Sequence, residues 1–208
     1  MDDDDIRHGL PSAHIKFGEA NAILAGDSLH SLAFQTIAAA PDYDTSTRLK
    51  MIELLAQAAG WAGMAGGQCL DIEAEGRELE LADLRALHGA KTGALIRVSV
   101  ELGALCRGVD TADQEQFQLL GEFGDRVGLA FQVMDDVLDV TQTTERLGKP
   151  AGSDEALAKN TFPKLMGIQQ ATDLALKLID EAQALLERTH LDAGILTDIA
   201  RLVVERDH

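Results

Sequence analysis

Aromatic residues are scarce in this chain, at 4% of 208 residues, with one Trp, one Tyr and six Phe. A sheet protein draws heavily on aromatic and β-branched residues, so this scarcity argues against one. Cysteine is nearly absent, at two residues, which excludes a disulfide-stapled secreted scaffold. Proline occurs four times, as Pro11, Pro41, Pro150 and Pro163, and none falls between 41 and 150 to interrupt a helix. Basic residues are outnumbered 18 to 35, for a formal charge of −17; a surface this negative repels a nucleic-acid backbone and an anionic membrane. No apolar run reaches the roughly 18 residues of a membrane span, and no basic-then-apolar leader follows Met1.

What the chain does have is alanine and leucine, 30 of each, which keep most of their side-chain freedom in a helix. Apolar residues recur at three- and four-residue spacing, predicting helices near 16–39, 46–77, 81–106, 112–143, 163–187 and 192–206. Loops are expected at 41–44, around 108–110 and across 147–161, where Gly, Pro and Ser cluster. Without repeats or linkers, residues 1–208 read as a single all-α domain. Cys69 and Cys106, in apolar helical context, are expected to be core thiols of a cytoplasmic protein.

Residues 127–140, Val-Gly-Leu-Ala-Phe-Gln-Val-Met-Asp-Asp-Val-Leu-Asp-Val, predict a helix buried on most sides. Its polar exceptions are Gln132, Asp135, Asp136 and Asp139, which fall within an arc of roughly 100°. Gly128 lies on the same stripe one turn earlier and leaves room for something to approach. Three carboxylates on a narrow buried face repel one another unless a cation joins them. A solvated stripe or buried ion pairs would be the plain explanation, but the apolar flanks and the distance to Arg126 and Arg146 favour a hard divalent cation. Mg²⁺ takes oxygen ligands and completes its shell with water and phosphate. Downstream, Lys149, Asp154 and Lys159 interleave positive and negative charge as a bridged diphosphate requires.

Other polar insertions are Gln68 and Asp71, one turn apart behind Gly63, Gly66 and Gly67, and Lys91-Thr92-Gly93 in an apolar stretch. Glycines inside a helix cost roughly 1 kcal/mol each against Ala, which implies close helix packing or ligand approach. Asp2-Asp3-Asp4-Asp5, followed by Ile6-Arg7-His8-Gly9, is either a solvated acidic terminus or part of a site.

Together these residues carry a resemblance. Phe131-Gln132 with Asp135-Asp136-Val137-Leu138-Asp139 resembles the second aspartate-rich motif of the trans-isoprenyl diphosphate synthases. Gly26-Asp27, Gly67-Gln68 with Asp71, Lys91-Thr92-Gly93, Leu147-Gly148-Lys149, Asp154 and Lys159 match in order and spacing. The likeness is nearest to the bacterial farnesyl diphosphate synthase type. It implies an all-α isoprenoid-synthase bundle around a central cavity, usually a homodimer, that condenses isopentenyl diphosphate head-to-tail with an allylic diphosphate. By the same resemblance Asp135, Asp136 and Asp139 hold Mg²⁺, with Asp2, Asp71 and Asp154 assisting. Lys91, Lys149 and Lys159 neutralise the departing diphosphate, and Gln68 lines the substrate. Thr92 and Gln132 aim oxygen dipoles at the allylic cation.

Against the family pattern, Asp2 matches only the last aspartate of the first acidic motif. The family's N-terminal helices and their basic residues have no counterpart, so the chain corresponds to the C-terminal two-thirds of that fold. Arg7 matches an allylic-diphosphate contact; His8 stands where an arginine is expected, and a neutral imidazole grips diphosphate less well than a guanidinium. Product chain length is not legible, because the residues that set it precede the first motif. The alternative is a non-catalytic or truncated relative that binds Mg-diphosphate or a partner subunit. A di-metal four-helix carboxylate protein needs two Glu-x-x-His pairs on facing helices, and Glu187-x-x-His190 falls at an expected helix end.

Overall fold

The computed structural model describes residues 3–109, 113–142 and 159–206. Helices rich in Ala and Leu account for most of it. The chain opens with a short antiparallel hairpin, β1 (Ile6–Arg7) and β2 (Leu10–Pro11), with Ile6 opposite Pro11 and Arg7 opposite Leu10. No strand is expected there from periodicity; the turn makes it, because His8 (φ +50°) and Gly9 (φ +72°) both adopt the left-handed conformation of a two-residue hairpin loop.

Ten α-helices follow among the described residues: α1 (Ala13–Phe17), α2 (Glu19–Ala38), α3 (Thr45–Ala59), α4 (Met64–Ala74), α5 (Leu81–His88), α6 (Ala94–Arg107), α7 (Gln114–Thr141), α8 (Phe162–Met166), α9 (Ile168–Thr189) and α10 (Gly194–Glu205). Between α5 and α6 the backbone makes one π-helical turn, Gly89–Gly93. The expected helices are therefore recovered with three interruptions. The 16–39 and 163–187 helices each start with a separate short helix, divided at Gly18 (φ +85°) and Gly167 (φ +84°). The expected 46–77 helix breaks at residues 60–63. A Cβ on Gly63 would lie 2.1 Å from the Ala58 carbonyl oxygen and one on Gly66 1.9 Å from that of Trp61, so these glycines serve a tight turn between α3 and α4.

Helix α7 is the axis of the molecule, with 14 of its 28 residues buried. One end of it packs Leu119, Leu120, Phe123, Val127 and Ala130 against Leu178, Ile179, Ala182 and Leu186 of α9 and Ala200 and Val203 of α10. Its other end packs Val133, Met134 and Val137 against Leu84 of α5, Phe162 of α8, and Ala171 and Ala175 of α9. Arg126 of α7 donates from Nε to Glu181 of α9 (2.9 Å) at the margin of this contact. On the opposite side α6 lies close against α7: Cβ atoms on Gly121 and Gly124 would fall 2.9 Å from Arg97 Nη2 and 2.6 Å from Arg97 Cα. Arg97 bridges the two helices, donating to Glu101 (2.8 Å) and Asp125 (2.7 Å).

By contrast, α1 and α2 bury no residue at all. The two cysteines also depart from expectation: Cys69 is half-buried and Cys106 exposed, both as free thiols, because α4 and the end of α6 lie at the outside of the bundle. No helix among the described residues is long and apolar enough to cross a membrane.

Candidate diphosphate site

The π turn is where the site begins. An extra residue in a helical turn re-aims the side chains around it, and such turns often mark functional positions. Here the turn is gripped from two sides by glycine. A Cβ on Gly67 of α4 would sit 2.3 Å from the backbone N of Lys91, and one on Gly128 of α7 would sit 2.8 Å from the Gly93 Cα. Gly128 thus does leave room for something to approach, and what approaches is the π turn itself. Of the two roles open to Gly67, close helix packing is the one observed.

The grip fixes two side chains. Lys91 Nζ donates to Asp71 Oδ2 of α4 at 2.6 Å, with the two side chains 24% and 13% exposed. Asp71, expected to assist a metal, is occupied in holding this lysine. Thr92 Oγ1 donates to Gln132 Oε1 of α7 (3.1 Å), and Gln132 Nε2 donates to Asp136 Oδ1 (2.9 Å). The amide of Gln132 is therefore bonded within the protein at both ends rather than aimed wholly at a ligand. Thr92, having committed its proton, keeps its oxygen lone pairs for another partner.

The aspartate stripe is graded. Asp136 is 2% exposed and its second oxygen accepts the backbone N–H of Phe162 (3.0 Å). Each of its oxygens thus accepts from a protein donor and keeps a further lone pair, as an ionised carboxylate has about four acceptor positions. Asp139 is likewise 2% exposed. Asp135 is the most exposed of the three, its side chain 33% exposed and one oxygen 3.8 Å from Arg206 Nη2. Arg206 stacks over the Phe131 ring at 4.1 Å and donates to the Phe131 carbonyl (3.2 Å); burial holds its pKa below the usual arginine value against the pull of Asp135. Among the described residues, no three His, Cys, Asp or Glu side chains converge into a metal cage. Hard oxygen donors such as these suit an ion like Mg²⁺, whose shell phosphate and water can complete.

Lys159 and Gln68 are half-buried. Lys159 and Asp71 line a narrow cleft with Glu75, Leu79 and Asn160, so the structure brings Asp71, Lys91 and Lys159 into one neighbourhood. Arg7 and His8 are elsewhere, exposed on the hairpin; Arg7 lines an open depression of about 500 Å³ with Asp3, Asp4, Ser12, His14 and Glu19. Asp2, Lys149 and Asp154 lie outside the described residues.

Two residues of this wall were not picked out by sequence reasoning. Asn160, 8% exposed, accepts Leu79 N–H (3.0 Å) and donates to the Arg77 carbonyl (2.8 Å), tying the segment after α4 to the start of α8. His88, 5% exposed, is the last residue of α5 and its ring lies 5.7 Å from that of Phe162. The available signal for His88 was its place after Leu84 and Leu87 on the apolar face of α5, where a polar residue is out of pattern.

Comparison with known proteins agrees with the expected family and with an enzyme of the prenyltransferase kind. Residues 1–192 match the polyprenyl synthetase family. The farnesyl diphosphate synthase of Escherichia coli (strain K12) is 47% identical over all of this chain and 70% of its own length. That of Geobacillus stearothermophilus is 45% identical, with the same coverage of 100% and 70%. A polyprenyl synthase from Caulobacter crescentus CB15, solved with calcium and isoprenyl diphosphate, superposes with a TM-score of 0.87 at 28% identity, over 100% of this chain and 72% of that one. A geranyltransferase from Helicobacter pylori, solved with magnesium and isoprenyl diphosphate, gives 0.84 at 33% identity, over 98% of this chain and 66% of that one. The chain spans about two thirds of that geranyltransferase. With the aspartate stripe, the lysine of the π turn and the helical bundle all in place, the chain belongs to the polyprenyl synthetase family.

Proposed function

We propose that residues 1–208 form one all-α domain that takes part in the Mg²⁺-dependent, head-to-tail condensation of isopentenyl diphosphate with an allylic diphosphate. The observation that carries this reading is the juxtaposition made by the π turn: a paired lysine, Lys91, and a chain from Thr92 through Gln132 to Asp136, on the wall that includes the half-buried carboxylate of Asp135. The relatives solved with a divalent cation and isoprenyl diphosphate support it.

In this reading Asp135, Asp136 and Asp139 would hold Mg²⁺, with Asp2, Asp71 and Asp154 assisting. The metal supplies charge that makes the diphosphate a better leaving group. Lys91 then leaves Asp71 and stabilises the negative charge on the departing oxygens, with Lys149 and Lys159 adding to it. Thr92, its proton on Gln132, turns an oxygen lone pair to the allylic cation, where a fixed dipole in a dry site acts strongly. Asp136 also keeps Gln132 and the start of α8 in register. Arg7, His8 and Gln68 contact substrate.

We read the chain as a cytoplasmic homodimer. Ile23, Leu24, Leu29 and Leu32 of α2 are each exposed by half or more, and a second copy is the occupant that covers them.

Thermal melts with Mg²⁺, inorganic diphosphate and both together test the site. Both together raise the melting temperature more than the sum of each alone, and Asp135→Ala removes the excess. No excess in the parent chain, or an equal excess in the variant, overturns the reading.

A further inference from the structure

His88 is a buried titratable group that the mechanism above leaves unused. It immediately precedes the π turn, is 5% exposed, and neither ring nitrogen reaches a hydrogen-bond partner among the described residues. Buried polar atoms are nearly always satisfied, so two on one ring call for an explanation. Space-filling does not supply one: the neighbouring inward positions of α5 are Leu84 and Leu87, and a third apolar residue would fill the same role without the desolvation.

The π turn that follows His88 packs on Gly67 of α4, and Asp71 lies one turn of α4 beyond Gly67. The charged groups that act on its ring come from every element packed around it: Asp71 of α4, Lys91 of the π turn, Asp135 of α7, and Lys159 ahead of α8. Burial dominates over these and pushes the imidazole down to about 4, so the ring is neutral at physiological pH. A neutral imidazole offers one N–H to donate.

Asp71 supplies the need for such a donor. Its side chain is 13% exposed and its partner is Lys91 at 2.6 Å. When Lys91 turns to a diphosphate, a largely buried carboxylate loses its cation, and an ion left unpaired in such a place is strongly disfavoured. A charged replacement would hold Asp71 but would also compete for the diphosphate; a neutral donor does the first without the second.

We propose that His88 is a positioning residue that takes over Asp71 from Lys91: its ring N–H donates to the Asp71 carboxylate when the lysine turns to a bound diphosphate. His88 touches no substrate and acts through Asp71 and Lys91. The inference rests on the diphosphate reading of the site.

The test follows the ring directly, in the intact chain labelled with ¹⁵N-histidine. The His88 ring N–H is identified by its loss in His88→Gln. Addition of Mg²⁺ with inorganic diphosphate moves that proton downfield as it becomes hydrogen-bonded, and Asp71→Ala abolishes the movement. Calorimetric titration with the same probe gives a second readout: His88→Phe weakens binding about tenfold, while His88→Gln, which retains a donor, stays within about threefold. An unmoved ring signal while diphosphate binds, or equal binding by the Phe variant, overturns the role of His88 and leaves the site reading intact. A parent chain that binds no Mg-diphosphate overturns both.

Discussion

Gly128 of α7 faces Gly93 of the π turn so closely that a methyl group on Gly128 would stand 2.8 Å from the Gly93 Cα. Backbone has no rotamer with which to yield. Gly128→Ala should therefore destabilise the fold by about 1–3 kcal/mol, the usual range for overpacking. Gly103 of α6 is the control, since a Cβ there meets nothing within 4 Å. Gly103→Ala should raise stability by up to about 1 kcal/mol through helix propensity alone. Denaturant unfolding of the two variants, compared by midpoint, checks both signs at once.

Asp136 and Asp135 are adjacent in sequence and should respond differently to the same change. In Asp136→Asn one of two acceptors becomes an NH₂ group facing a donor, either Gln132 Nε2 or the Phe162 N–H. That mismatch is buried, and should cost about 1–3 kcal/mol of stability. Asp135→Asn changes a partly open side chain and should cost less than about 1 kcal/mol, while removing the joint effect of Mg²⁺ and diphosphate on the melt. The reverse order of stabilities would contradict the graded stripe.

Arg97 is half-exposed but pairs with Glu101, which is 5% exposed. Arg97→Met leaves that carboxylate buried without its cation and should lower stability by about 1–3 kcal/mol. The double variant Arg97→Met, Glu101→Gln should recover a good part of the loss, since no buried charge then remains. Strict additivity of the two changes, measured in a double-mutant cycle, would show that the pair is not coupled.

His88 makes stability depend on pH in a known direction. Its folded value, about 4, lies below the ordinary 6.5 because burial disfavours the cation. Between those values the unfolded chain binds more protons than the folded one, so the contribution is present above pH 6.5 and lost as pH falls towards 4. Its full size is on the order of 3 kcal/mol. The difference in unfolding free energy between the parent and His88→Gln should shrink in the parent's disfavour across that window and be flat above it. A flat difference from pH 4 to 7 would show that the ring is not buried in neutral form.

The long buried helix with its aspartate stripe, and the oddity of Lys91-Thr92, were legible because each breaks a period of 3.6 within its own segment. The division of labour along the stripe was not. Asp136 differs from Asp135 only because the N–H of Phe162, 26 residues later, is brought to it, and local patterning carries no trace of such a partner. The glycines told half of their story: their cost inside a helix was plain, but Gly63 and Gly66 serve a turn while Gly67 and Gly128 admit a neighbouring backbone, and propensity alone does not separate these. The π turn was hidden for a related reason, since one extra residue barely shifts an apolar period over Gly89–Gly93.

Helix α2 runs for 20 residues and buries none of them. A helix of that length has little to hold it beyond its own hydrogen bonds, and isolated helices of this size are marginal in water. Its opening is thus uncoupled from the unfolding of α7, whose amides are shielded by packing on both sides. In deuterated solvent the α2 amides exchange through local fraying long before those of α7, at a rate set by whatever surface covers them. The segment should therefore open as a unit of its own, ahead of the bundle built around α7.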